Sequence, residues 1–211
     1  MLPFKTIKGV KDLKGKRVLL RVDLNIPMEN GVVKDDFRIR KIVPTIEYLK
    51  KAGAKIVIIS HLGEDGESLK PVAKHLGKFV QVGFIPSLSA PLLRDAIGHM
   101  PLGGAIVLEN LRLNPGEKKN SAAFAKELSS NCDIYVNEAF SVSHRAHASI
   151  IGAPKFLPGY AGFLFEEEYK NLSKMLKPRK PFVFIIGGAK FETKLPLIKK
   201  YLPVSKTVFV G

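Results

Sequence analysis

The chain has 211 residues, of which 45% are hydrophobic and 25% charged, and carries a formal net charge of +15 at pH 7. That profile excludes a disordered or fibrous polymer and suits one folded domain of ordinary size with some tens of residues left over. No apolar run reaches membrane-spanning length, and the N-terminus Met1-Leu-Pro-Phe-Lys-Thr has no signal-peptide character. The single cysteine, Cys132, has no second thiol to pair with, so a reducing, cytoplasmic setting is expected, with Cys132 as a small core residue.

Taken in chain order, the first apolar, β-branched run of strand length is Arg17 to Val22, which exits into Asp23-Leu-Asn25-Ile-Pro27. Ile39, Ile42, Val43, Ile46, Tyr48 and Leu49 then recur at helical spacing. A second strand, Lys55 to Ser60, ends in Ser60-His61-Leu-Gly63, and a third, Ala105 to Leu108, in Glu109-Asn110-Leu-Arg112. The fourth, Asp133 to Val136, is followed by Asn137-Glu138-Ala-Phe and then His144-Arg145-Ala-His147. These runs are continuous rather than alternating, as strands buried on both faces require, and the strand-helix-strand order predicts a parallel, Rossmann-like α/β sheet flanked by helices.

Pro154, Pro158 and two glycines interrupt the segment Lys155 to Gly162, after which a charged helix is expected over Glu166 to Leu176 and is closed by Pro178 and Pro181. Strands at Phe182 to Ile186 and Thr207 to Val210 restart the rhythm. A strand, a helix and one more strand cannot bury a core unaided, so an incomplete second α/β domain is expected at the C-terminus. The expected division is residues 1–162 as a ligand-binding domain, 163–180 as a helix and hinge, and 181–211 as the start of the second domain.

Lysine supplies 26 of the 34 basic residues, and pairs such as Lys50-Lys51, Lys118-Lys119 and Lys199-Lys200 read as solvated faces. The arginines say more, because ligands of an open parallel sheet sit beyond the carboxyl ends of its strands. Alone, an Asx residue after a strand is an ordinary turn or cap, and a lone histidine is ordinarily structural. Together, Arg38, Arg112, Arg145, His61, His144 and His147 would set several cations around one rim. Guanidinium forks donate paired hydrogen bonds to carboxylate and phosphate oxygens, so the implied ligand is a small polyanion.

Arg21-Val-Asp23-Leu-Asn25-Ile-Pro27, Asp36-Phe-Arg38-Ile-Arg40, Ser60-His61-Leu-Gly63, Glu109-Asn110-Leu-Arg112 and His144-Arg145-Ala-His147-Ala-Ser149 occur in order. In that order and spacing they resemble the phosphoglycerate kinase family, and the resemblance runs on through Gly187-Gly188-Ala189-Lys190 and Lys194 to Val210-Gly211. It implies a glycolytic transferase that moves a phosphoryl group reversibly between 1,3-bisphosphoglycerate and ADP. Asp23, Asn25, Arg38, His61, Arg112 and Arg145 would hold 3-phosphoglycerate, with Asp23 and Asn25 toward its hydroxyl and carboxylate. Arg38 and Lys190 would act on the transferring group. Gly188, Ala189, Lys190, Lys194 and Gly211 would meet the nucleotide, where amides of a glycine turn opening a helix suit phosphate. Arg21, His144 and His147 would join the basic patch.

The resemblance further implies Mg-ATP or Mg-ADP with no metal ligand in this chain, no nucleic-acid or membrane partner, and a monomer. Family members continue past a Val-Gly-Gly strand end into the adenine pocket, so the chain is expected to bind the acid better than the nucleotide and not to turn over alone. One position departs from the pattern: Glu64 stands where an arginine of the acid patch is expected. A carboxylate there would repel a phosphorylated acid by roughly 1 kcal/mol at about 4 Å if exposed. Either Glu64 points away or acid binding is weakened. The competing expectation is a stand-alone basic α/β module for anions or nucleic acid, although basic and aromatic residues do not interleave as base-stacking surfaces require.

Overall fold

The computed structural model describes residues 2–64, 66–188 and 191–211, and separates into two compact units, Met1–Glu168 and Tyr169–Gly211. The first unit is built on β1 (Arg17–Arg21), a short hairpin of β2 (Met28–Glu29) and β3 (Val32–Val33), α1 (Phe37–Lys51) and β4 (Lys55–Ile59). It continues through α2 (Lys70–Leu76), β5 (Gly83–Ile85), α3 (Ala90–His99), β6 (Ala105–Leu108), α4 (Ala122–Ser129), β7 (Ile134–Asn137) and β8 (Gly159–Ala161). The helix α5 (Phe163–Ser173) contains the boundary between the units.

Six strands form one parallel sheet in the order β5-β6-β4-β1-β7-β8. The strands are parallel because each is followed by a crossover segment that packs back on the sheet. Side chains alternate between its faces. Val18, Leu20, Ile56, Ile58, Val107 and Val136 point into one core with Ile39, Ile42, Ile46 and Leu49 of α1 and Val72 and Leu76 of α2. Leu19, Val57, Ile59, Leu108 and Tyr135 point into the other, against Leu93 and Ile97 of α3 and Phe124 and Leu128 of α4. Each fully buried aliphatic side chain contributes about 1.5–3 kcal/mol, so both faces of the central strands are strongly anchored.

The chain order runs outward from β1 to β4 and β6 on one side and returns to β7 on the other. That reversal opens a crevice at the carboxyl ends of β1, β4 and β7, the place where open α/β sheets take ligands. The register places Arg21 beside both Ile59 and Asn137, so the residues leaving the three strands emerge at one level.

In the second unit, β9 (Val183–Ile186), α6 (Leu195–Tyr201) and β10 (Thr207–Val210) make a single parallel βαβ unit. Tyr201 packs on Phe182 and Phe184 at ring-centroid distances of 5.6 and 5.2 Å. Ile185 and Phe209 remain 75% and 56% exposed, so this unit buries only one face of its sheet. No helix among the described residues is long and apolar enough to cross a membrane.

The expected strands are all present to within a residue or so at their ends. The hairpin, β5 and β8 are additions: each is two or three residues long, too short for a period to register. The stretch read as an interruption contains β8, which pairs with β7 through Tyr135↔Gly159 to Asn137↔Ala161. Helix α5 begins three residues before its expected start, because Phe163 and Leu164 pack against the first core and draw the apolar segment into the helix.

Candidate functional site

Asp23 leaves β1 two residues past its end and is nearly buried, with its carboxylate fully engaged. Oδ2 accepts from Arg38 Nη1 at 2.7 Å and from Ser141 Oγ at 2.5 Å, while Oδ1 accepts from the Asn25 backbone N–H at 3.0 Å. Burial pushes the carboxyl group up, but the Ser141 and Asn25 donors and the Arg38 charge outweigh it and hold Asp23 below the usual carboxylate range. Arg38 enters from the first turn of α1 and donates also to the Asn25 carbonyl at 3.0 Å. Asn25 Oδ1 accepts from the Gly63 N–H at 3.0 Å, and the Leu24 N–H donates to Ser60 Oγ at 2.9 Å, so the exits of β1 and β4 are laced together. With its oxygen committed, Asn25 offers a ligand its NH2 donors.

Behind this pair lies a buried chain of charge. Arg21, only 1% exposed at the end of β1, donates from Nε to Ser149 Oγ at 2.9 Å and stands 3.1 Å from His61 Nδ1 through Nη2. Because guanidinium can only donate, Nδ1 is the acceptor and neutral His61 carries its proton on Nε2. The Ser149 hydroxyl donates in turn to Glu117 Oε1 at 2.5 Å, and its backbone N–H donates to Oε2 at 2.9 Å. Glu117 is fully buried and also stands 3.8 Å from His147 Nδ1.

Burial, together with the positive charges of Arg21, Arg112 and Arg145, lowers His61 from 6.5 to about 3. Burial likewise lowers His147, against the pull of Glu117 and with help from Arg145, Arg112 and Arg21. The positive charges of Arg112 and Arg145 are thus felt by both His61 and His147. His144 is exposed. Hydrogen bonds thus join Asp23, Asn25, Arg38 and Arg112 around the exits of β1 and β4, with His61 held by Arg21 beside them, while Arg145 lies half-buried beyond β7.

Arg112 is held differently from Arg38. Its side chain is 1% exposed, Nη1 donates to the Gly63 carbonyl, and the same nitrogen lies 2.8 Å from Glu64 Oε1. Glu64 Oε2 is 3.1 Å from Lys118 Nζ, which also donates to the Glu64 carbonyl at 2.9 Å. Hydrogen bonding from Lys118 and the charge and donors of Arg112 hold Glu64 below its ordinary value. Of the two alternatives for Glu64, the carboxylate turns onto the arginine patch, and Lys118, read as a solvated lysine, is its second partner.

Sequence reasoning missed Ser141, Ser149, Glu117 and Glu168. Glu168 is raised by burial and by the negative charges of Asp23 and Glu167, which places it near the same carboxylate. Serines and glutamates carry no spacing signal here, because their partners lie 32 to 128 residues away.

In the second unit, Gly188 takes φ +98°, and Lys194 Nζ donates back to the carbonyls of Gly187 and Gly188 at 2.5 and 2.6 Å. The Gly211 N–H donates to the Ile186 carbonyl at 2.9 Å, so the ends of β9 and β10 lie side by side. The expected nucleotide residues Ala189 and Lys190 lie outside the described residues. The chain resumes as a short 3-10 turn over Phe191–Lys194 before α6.

Comparison with known proteins matches residues 7–211 to the family model described as phosphoglycerate kinase. The phosphoglycerate kinase of Borrelia hermsii is 44% identical over 219 aligned positions, covering all of this chain and 56% of the relative. That of Fervidobacterium nodosum is 41% identical over 98% of this chain and 54% of the relative. Among solved structures, phosphoglycerate kinase from Coxiella burnetii superposes with a TM-score of 0.85 at 37% identity, over 99% of this chain and 55% of that one. The Pyrococcus horikoshii enzyme gives 0.89 at 31% identity, over 98% and 55%. The chain spans about half the length of the proteins it matches.

Proposed function

This chain belongs to the phosphoglycerate kinase family, and on that premise we propose that its first domain holds 3-phosphoglycerate or 1,3-bisphosphoglycerate at the crevice beyond β1, β4 and β7. The reaction served is reversible. A carboxylate oxygen of the acid attacks the terminal phosphorus of ATP as the bond to ADP breaks, and in reverse an ADP oxygen takes the phosphoryl group and the carboxylate leaves. Such a transfer needs positioning and charge stabilisation more than covalent help.

Asp23 and Asn25 would orient the hydroxyl and carboxylate end, while His61, Arg112 and Arg145 would hold the phosphate. Half-exposed Arg38 would leave Asp23 to stabilise the equatorial oxygens of the group in flight. Lys190, Lys194 and the Gly188, Ala189 and Gly211 backbone would belong to the nucleotide side, brought near when the domains close and exclude water. We take residues 1–162 as the acid domain, 163–180 as the hinge and 181–211 as the start of the nucleotide domain, in a cytoplasmic monomer. Magnesium accompanies the nucleotide in the family. Among the described residues no group of three or more His, Cys, Asp or Glu side chains is placed to hold a metal ion.

The observation that carries the proposal is the lacing of Arg38, Asp23, Asn25 and Arg112 across the exits of β1 and β4, with Arg21 against His61 beside them. Calorimetric titration of the 211-residue chain with 3-phosphoglycerate tests it. Saturable binding that is lost in the Arg112→Ala, Arg145→Ala double variant is expected, and absence of heat from a folded wild-type chain would overturn the proposal.

A further inference from the structure

Of Arg38, Arg112 and Arg145, Arg112 is the most deeply covered, and what covers it includes the chain's own Gly63-Glu64 turn. Its guanidinium is 1% exposed beneath the Gly63-Glu64 turn, with Nη1 committed to the Gly63 carbonyl and to Glu64. Its Nε is buried with no hydrogen-bond partner. Glu64, by contrast, is 64% exposed and splits its two oxygens between Arg112 and Lys118. An exposed carboxylate therefore rests on a buried guanidinium, and a second cation stands beside it.

We propose that Glu64 is an internal counter-anion of the acid site, resting on Arg112 and Lys118 until the ligand's phosphate displaces it. The inference rests on the reading of this rim as the acid site. The chemistry makes the exchange selective. A single carboxylate satisfies one charge and two donors, whereas a phosphate dianion offers more acceptor oxygens to both cations and to the unpartnered Nε. A phosphorylated acid can therefore replace Glu64, but its unphosphorylated analogue gains little by doing so. Position 64 then sets affinity and discrimination without touching the ligand in the bound state.

The test compares the wild-type chain with Glu64→Gln and Glu64→Asp, titrating each with 3-phosphoglycerate and with glycerate. Glu64→Gln removes the competing charge and should bind 3-phosphoglycerate about fivefold more tightly, the scale of one partly exposed ion pair. The difference should narrow as salt is raised, and Glu64→Asp should restore binding close to wild type. Glycerate, which has no phosphate to take the vacated place on Arg112 and Lys118, should gain less from Glu64→Gln than 3-phosphoglycerate does. Thermal melts of the three proteins are read beside the titrations: Glu64→Gln takes the carboxylate from buried Arg112 and should melt lower, while Glu64→Asp should melt close to wild type. Equal or weaker binding by Glu64→Gln, with the wild type still binding, overturns the counter-anion and leaves the acid site standing. Failure of every variant to bind overturns the acid site as well.

Discussion

The contrast between Arg38 and Arg21 separates binding from stability. Arg38 is 47% exposed and its partner Asp23 keeps the Ser141 and Asn25 donors when it is removed. Arg38→Ala should therefore cost less than about 1 kcal/mol of stability, while weakening 3-phosphoglycerate binding by about tenfold or more. A denaturation curve and a titration of the same sample check both halves. Glu117 is the reverse case: it faces no solvent, and through Ser149 it compensates buried Arg21. Glu117→Gln should cost about 3 kcal/mol, read as a lower denaturation midpoint, because it leaves a buried guanidinium uncompensated. His61 sets the pH response. Its folded value of about 3 lies below the unfolded 6.5, so the unfolded chain takes up the proton first as pH falls. Its contribution is complete above the unfolded value and is lost as pH drops toward the folded one. Between about pH 7 and about pH 5 the wild type should lose more thermal stability than His61→Asn, and parallel losses would contradict the assignment. His61 and Arg112 stood out in the sequence because each closely follows a strand, and Arg38 because it enters the first helix. Glu117, Ser141 and Ser149 were not, because what makes them matter is a partner far away in the chain.

The central strands could be read from the sequence because burial on both faces demands uninterrupted apolar side chains, as in Leu19 and Leu20 or Ile56 to Ile59. The edge strands could not. Gly83-Phe84-Ile85 and Gly159-Tyr160-Ala161 each begin with glycine, and β8 lies among prolines that signal a break. They become strands because a neighbour, β6 or β7, presents an unpaired edge to them. Turns hold this register together. Gly103, between α3 and β6, has φ +74°, and an added Cβ would lie 2.8 Å from the Lys50 carbonyl at the end of α1. Gly103→Ala should therefore destabilise the first unit by about 2 kcal/mol through strain and contact together, measurable as a shift in urea midpoint with an unchanged slope. Cys132 fits the same picture at the foot of β7. Burial pushes its thiol up to about 12, as expected of a core residue rather than a reactive one.

At the scale of the molecule, the +15 charge is spread over many surface lysines, whereas the rim's cations are few, fixed and partly buried. Charge alone gives weak, salt-sensitive attraction to any polyanion, whereas built geometry gives binding that survives salt. The α/β class followed from the strand-helix-strand rhythm, and the family from five motifs in order. The turning of Glu64 onto Arg112 was outside the reach of the sequence, which could only set repulsion against avoidance. The most direct measurement is amide chemical-shift mapping of the isotope-labelled 211-residue chain during titration with 3-phosphoglycerate. Saturable shifts should cluster at Asp23, Asn25, Arg38, His61, Arg112 and Arg145 and persist at moderate salt. Shifts scattered over the lysine-bearing helices, or vanishing as salt is added, would contradict a single acid-binding rim.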